Sequence, residues 1–122
     1  MKRNLDLIRE VLFVVEQHPS LDRALCLQWK QFADKFPGLT ADILNEHIEL
    51  LVETGLLEAE PYQLGWFITR LTWSGHDFLA NSRVKSAWEK AKQVAGQLSF
   101  GAFAAALNEA VITYGKQAIS GM

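Results

Sequence analysis

The strongest constraint on the fold lies between residues 31 and 71, where two helical patterns joined by a turn run directly into two strand patterns joined by another. Gln31 to Phe36 reads as a short helix stopped by Pro37-Gly38, a turn dipeptide. Thr40 then supplies an N-cap hydroxyl for Ala41 to Thr54, which carries Leu44, Ile48, Leu51 and Val52 on one face and Asp42 near the positive end of the helix dipole. Gly55 closes that helix as a left-handed C′ residue. Leu56 to Glu60 and Trp66 to Leu71 are strand-like runs, and Pro61-Tyr62-Gln63-Leu64-Gly65 between them has the length of a hairpin loop.

The flanking segments complete an order. Asn4 can cap a helix in which Leu5, Ile8, Val11, Leu12 and Val15 recur at helical spacing before Pro19 stops the run. Arg23 to Trp29 alternates Leu25, Leu27 and Trp29, which suits a brief strand. Thr72 can cap a short helix through Phe78 and Leu79, and Val84, Ala87, Trp88, Ala91 and Val94 mark the next. A last helix begins near Ser99, with Phe100, Phe103, Leu107, Val111 and Tyr114 in register. Helix, short strand, helix, turn, helix, two-stranded wing and further helices is the winged helix-turn-helix order, in which the second helix of the pair usually enters the major groove. The expected fold is therefore mostly α with a small β-hairpin. A winged-helix domain over residues 1–81 is followed by a C-terminal helical segment over 82–122, both in one globular unit.

A chain of 122 residues, 49% hydrophobic and 21% charged, can close a core without staples, which excludes disordered and low-complexity classes. Cys26 is the single cysteine, so an internal disulfide and a thiolate zinc cluster both fall, and a reducing compartment, the cytoplasm, is expected. Asp6, Arg9 and Glu10 break the apolar stretch that a signal sequence would need. The longest uncharged run, Gln93 to Asn108, contains Gln93, Gln97, Ser99 and Asn108 and is too short to span a bilayer, so no membrane role is expected.

Several blocks also carry a resemblance. Met-Lys-Arg-Asn-Leu-Asp-Leu-Ile-Arg (1–9), His47-Ile48-Glu49-Leu50-Leu51, Gly55-Leu56-Leu57, the run from Arg70 through Leu71-Thr72-Trp73-Ser74-Gly75-His76-Asp77-Phe78 to Leu79, and Trp88-Glu89-Lys90 span residues 1 to about 92. Together they resemble the bacterial and phage family catalogued as domain of unknown function 2513. The resemblance implies a small winged-helix-like protein, frequently from phage or prophage, without an established activity and without residue roles to carry over.

No catalytic, metal or cofactor site is expected from the residues themselves. His18, His47 and His76 never fall at the spacing of a helical metal pair, Cys26 sits among Ala24, Leu25 and Leu27 as a buried small hydrophobe would, and no phosphate-cradling loop is present. His76-Asp77 could orient an imidazole, but no activated nucleophile accompanies it. Of the four tryptophans, Trp29, Trp73 and Trp88 read as core, and Trp66, near the hairpin tip, as an exposed contact residue.

Charge distribution discriminates between functions better than motifs do. Residues 40–60 hold six acidic side chains (Asp42, Glu46, Glu49, Glu53, Glu58 and Glu60) and no basic one, although the net charge of the whole chain is only −2. The helix that would read DNA would thus repel phosphates; its acidic face is either ordinary solvated surface or a site for a basic protein partner. Glu46, Glu49, Glu53 and Trp66 are the candidate protein-binding residues. The alternative is a small DNA-binding transcriptional regulator using Lys2, Arg3, Lys30, Lys35 and Arg70. The last helix carries one charge between Ser99 and Gly115, Glu109, so the stripe Phe100, Phe103, Leu107, Val111 and Tyr114 is expected to form a homodimer interface, preferred over burial within the chain. On that basis a charged residue at 107 would separate two copies and leave the helix intact. The expected protein is non-enzymatic, phage-related and dimeric, and acts by binding another protein.

Overall fold

A computed structural model describes residues 3–18 and 25–120, with side chains as far as 113. The elements are α1 (Leu5–Gln17), a 3₁₀ turn (Trp29–Phe32), α2 (Ala41–Glu53), β1 (Leu57–Tyr62), β2 (Gly65–Leu71), α3 (Trp73–Ser82), α4 (Lys85–Val94), a second 3₁₀ turn (Ala95–Gln97) and α5 (Phe100–Ser120). This is a mostly helical chain with one small antiparallel hairpin, in the winged-helix order. It divides into two compact units, 1–76 and 77–122, so the boundary falls inside α3 and ahead of the expected 81/82.

In the first unit, α1 and α2 bury one stripe each: Leu7, Ile8, Val11, Leu12 and Val15 on α1, and Leu44, Ile48 and Leu51 with His47 on α2. Both helices start on side-chain caps. Asn4 Oδ1 accepts from the Leu7 N–H at 3.1 Å, and Thr40 Oγ1 from the Ile43 N–H at 3.2 Å. α2 ends as a Schellman turn: Gly55, at φ +80°, lets the Leu56 N–H return to the Leu51 carbonyl at 2.9 Å and its own N–H to Val52 at 3.1 Å. Because Ile48 is 2% exposed and Glu49 lies on the open face, Ile48→Ala is expected to cost about 2–5 kcal/mol in urea unfolding. Glu49→Ala should stay within about 0.5 kcal/mol. Equal losses from the two would reverse the assignment of the helix's faces.

The hairpin differs from its expected outline. β1 continues through Pro61 to Tyr62 and β2 starts at Gly65, which leaves a two-residue turn, Gln63-Leu64, with Gln63 at φ +52°. Proline fits within β1 because β1 is an edge strand. The other side of β2 is occupied by Leu25, whose N–H and carbonyl exchange hydrogen bonds with Ile68 at 2.8 and 2.9 Å. Of the expected strand over 23–29, Arg23 and Ala24 lie outside the described residues, and this single bridge is what remains. The register slips between Glu58 and Ala59, so Thr69 bulges out of the ladder and its hydroxyl donates to the Glu58 carbonyl at 2.9 Å. The expected helix over 31–36 is a 3₁₀ turn over 29–32, closed by the Gln28 N–H donating to Gln31 Oε1 at 2.7 Å. Pro37 leaves too little chain for a full α-helix to propagate.

The second unit is built on aromatic rings. Trp88 meets Phe78 and Phe103 edge-on at centroid distances of 6.2 and 5.7 Å, and Phe100 lies 5.5 Å from Phe78. Ala87 and Ala91 on α4 and Leu107 on α5 fill the space around them. Ser99 caps α5, accepting from the Ala102 N–H at 3.1 Å. Among the described residues no helix is long and apolar enough to cross a membrane.

Candidate functional site

On α2 the four acidic positions fall at steps of four, three and four residues: Asp42, Glu46, Glu49 and Glu53. At 100° per residue they lie within an arc of about 60°. All four are exposed, so the helix that a DNA-binding winged helix would present to the duplex carries a solvated anionic stripe. Glu60, on β1, is exposed as well.

The basic residues proposed for nucleic acid do not answer that stripe. Arg70 is held by Glu58 through two parallel bonds, Nε to Oε2 at 2.8 Å and Nη2 to Oε1 at 2.7 Å. The Arg70 hydrogen bonds hold the Glu58 carboxyl below the usual carboxylate range, and the guanidinium is raised in turn. Lys35 pairs with Glu10 at 2.9 Å, and Lys30 lies 6.0 Å from the Trp29 ring centre. Arg3 is half-buried, and Lys2 lies outside the described residues.

Between the first turn of α2, the segment 26–29 and the hairpin tip runs a groove of about 270 Å³, lined by Cys26, Trp29, Leu44, Asn45, Leu64 and Trp66 among others. Asn45 Nδ2 donates to the Leu64 carbonyl at 2.7 Å and ties the tip to the helix. Leu64 itself is 94% exposed, and Tyr62 stacks on Phe67 at 4.1 Å beside it. Two sequence expectations are corrected here. Cys26 is exposed and not a core residue, because Leu25 is the position paired to the sheet and its neighbour in extended backbone turns to the opposite side. Trp66 is half-buried in the groove, as is Trp29, while the most open tryptophan is Trp73, at 81% exposure on the first turn of α3. Of the three tryptophans expected in the core, Trp88 is the one fully enclosed.

The proposed dimer stripe is corrected too. Phe100, Phe103 and Leu107 are 4%, 0% and 0% exposed within a single chain; the Phe78 ring packs on both phenylalanines and Trp88 on Phe103. Val111 is half-buried, and the Tyr114 side chain lies outside the described residues.

Sequence spacing sets His47 aside as a metal ligand and does not assign it a place in the core. It is fully buried: Nδ1 donates to the Ile43 carbonyl at 2.8 Å, and Nε2 accepts the Asn4 N–H at 2.9 Å, an arrangement that requires the Nδ1–H tautomer. The signal was available, since 47 lies on the same stripe as 44, 48 and 51, and a polar side chain there must find partners. Among the described residues no three His, Cys, Asp or Glu side chains converge as metal ligands would, and no buried side-chain nitrogen or oxygen lacks a hydrogen bond.

The family described as Hypothetical protein (DUF2513) matches residues 2–101. The chain belongs to this family. The match covers residues 2–76 of the first unit and the Phe78, Trp88 and Phe100 positions of the second. An uncharacterized protein of Haemophilus influenzae is 32% identical over 96 residues, covering 75% of this chain and 76% of that protein. No solved structure matches the chain.

Proposed function

We propose that this DUF2513 protein is a non-enzymatic recognition module of the cytoplasm, of phage or prophage type, that binds a basic protein partner through the exposed face of α2. The observation that carries the reading is the anionic stripe Asp42, Glu46, Glu49 and Glu53 on the helix where a winged-helix DNA binder needs cations. Phosphates would meet like charge there, whereas a lysine- or arginine-rich protein surface would be steered toward it. Recognition in place of turnover is supported by the internal use of the polar groups: His47 engages both ring nitrogens with backbone, and Arg70 is clasped by Glu58. No self-association is assigned to Phe100, Phe103 or Leu107. Among the described residues of α5 the outward positions are Gly101, Ala102, Ala105, Asn108, Glu109, Ile112 and Thr113, which offer one large apolar side chain.

Fluorescence anisotropy with labelled duplex DNA tests the reading. Binding tighter than about 1 μM at physiological salt is not expected, a level within ordinary non-specific affinity. The double change Glu46→Lys, Glu49→Lys should raise non-specific DNA affinity and make it steeply salt-dependent. Sub-micromolar, sequence-selective binding by the unmodified protein, lost in Arg70→Ala, would overturn the reading in favour of a transcriptional regulator.

A further inference from the structure

We infer that the groove between α2 and the hairpin tip receives one bulky apolar side chain from a lysine- or arginine-rich peptide segment. The inference rests on the proposed acidic-face function and deepens it by naming the chemistry of the bound segment. Three features of the groove point the same way. Its volume, about 270 Å³, is enough to admit a single large side chain. Its walls are the half-buried rings of Trp29 and Trp66 with Leu44, and such aromatic surfaces dominate binding energy when a partner covers them. Its outer lip is Leu64, an aliphatic side chain 94% exposed and held in place through its own backbone by Asn45.

Charge selects the occupant. Asn45, on the groove wall, is followed one turn later on the same strip of α2 by exposed Glu49, exposed Glu46 stands on the adjoining strip, and exposed Glu60 stands on the hairpin. Among the described residues, Lys30 beside Trp29 is a basic side chain near the groove and is outnumbered by these carboxylates. An acidic or nucleic-acid segment would meet repulsion along α2, whereas a basic segment gains along the stripe while its apolar residue is buried between the tryptophans.

The probe is a short fluorescent peptide of lysines around one central leucine, compared with the same peptide carrying alanine in place of leucine. The leucine peptide should bind, and the alanine peptide should bind about tenfold more weakly. In ¹H–¹⁵N spectra the indole signals of Trp29 and Trp66 should shift on titration, while those of Trp73 and Trp88 stay fixed. Leu64→Ser, at a position too exposed to disturb folding, should weaken the leucine peptide severalfold and leave the alanine peptide unchanged. Equal affinity for both peptides, abolished by Glu46→Lys with Glu49→Lys, would remove the groove and leave the acidic-face function standing. Shifts centred on Trp73 would remove the groove as well. Failure of both peptides to bind would overturn the groove and the acidic-face function together.

Discussion

Gly75→Ala is expected to destabilise the protein by about 3 kcal/mol, at the upper end of what forcing atoms into a packed site costs. A Cβ at Gly75 would press on the Leu56 carbonyl oxygen inside van der Waals contact and approach Leu71 Cδ1 to 2.6 Å. The carbonyl has little freedom to retreat, because it accepts the Thr72 N–H at 3.1 Å. Thr72 is fixed in turn: its hydroxyl donates to the Gly55 carbonyl at 2.6 Å and accepts the Gly75 N–H at 3.0 Å. The Leu71-Thr72-x-x-Gly75 element thus has a physical account. Threonine caps α3 and ties it to the end of α2, and glycine lets the first turn of α3 lie against that chain end. Gly101→Ala, in the first turn of α5 where an added Cβ meets nothing within 4 Å, is the control and should change stability by no more than about 0.5 kcal/mol. Urea midpoints that do not separate the two variants would remove this account.

Leu107→Asp is expected to cost more than about 4 kcal/mol and to abolish the helical signal of the second unit, since it places an unpaired carboxylate where the side chain is 0% exposed. This replaces the expectation drawn from sequence, in which a charge at 107 separates two intact copies. Circular dichroism and light scattering distinguish the two. Retained helicity with a smaller particle would restore the dimer stripe and contradict the aromatic core of Phe78, Trp88, Phe100 and Phe103.

The elements legible in the sequence are those whose two ends are signalled locally. α2 has a capping hydroxyl at Thr40 and a left-handed Gly55, and it forms between them. The 3₁₀ turn at Trp29–Phe32 lacks such a pair of signals, and apolar spacing alone does not separate it from a short α-helix. The tip of the hairpin was obscured by Pro61, which marks a loop in most contexts but is accommodated here on an edge strand. For α5 the spacing revealed an apolar stripe but not its cover, because periodicity identifies a face and not what packs on it. The candidate site divides in the same way. The acidic stripe lies within one helix and is visible in the order of residues, whereas the groove is assembled from residues near 26–29, 41–45 and 62–66 that only the fold brings together.

The bond from the Asn4 N–H to His47 joins positions 43 residues apart, and the same Asn4 caps α1. The start of one helix is therefore referenced to the middle of another, so the two cannot slide along each other by a turn without leaving a buried imidazole nitrogen unpaired. The contact is non-local, and closing so long a loop carries an entropy cost that the locally capped formation of α2 does not. The histidine acts as a registration pin: together with Leu44, Ile48 and Leu51 it holds one face of α2 inward, and the anionic stripe stands on the face that is left.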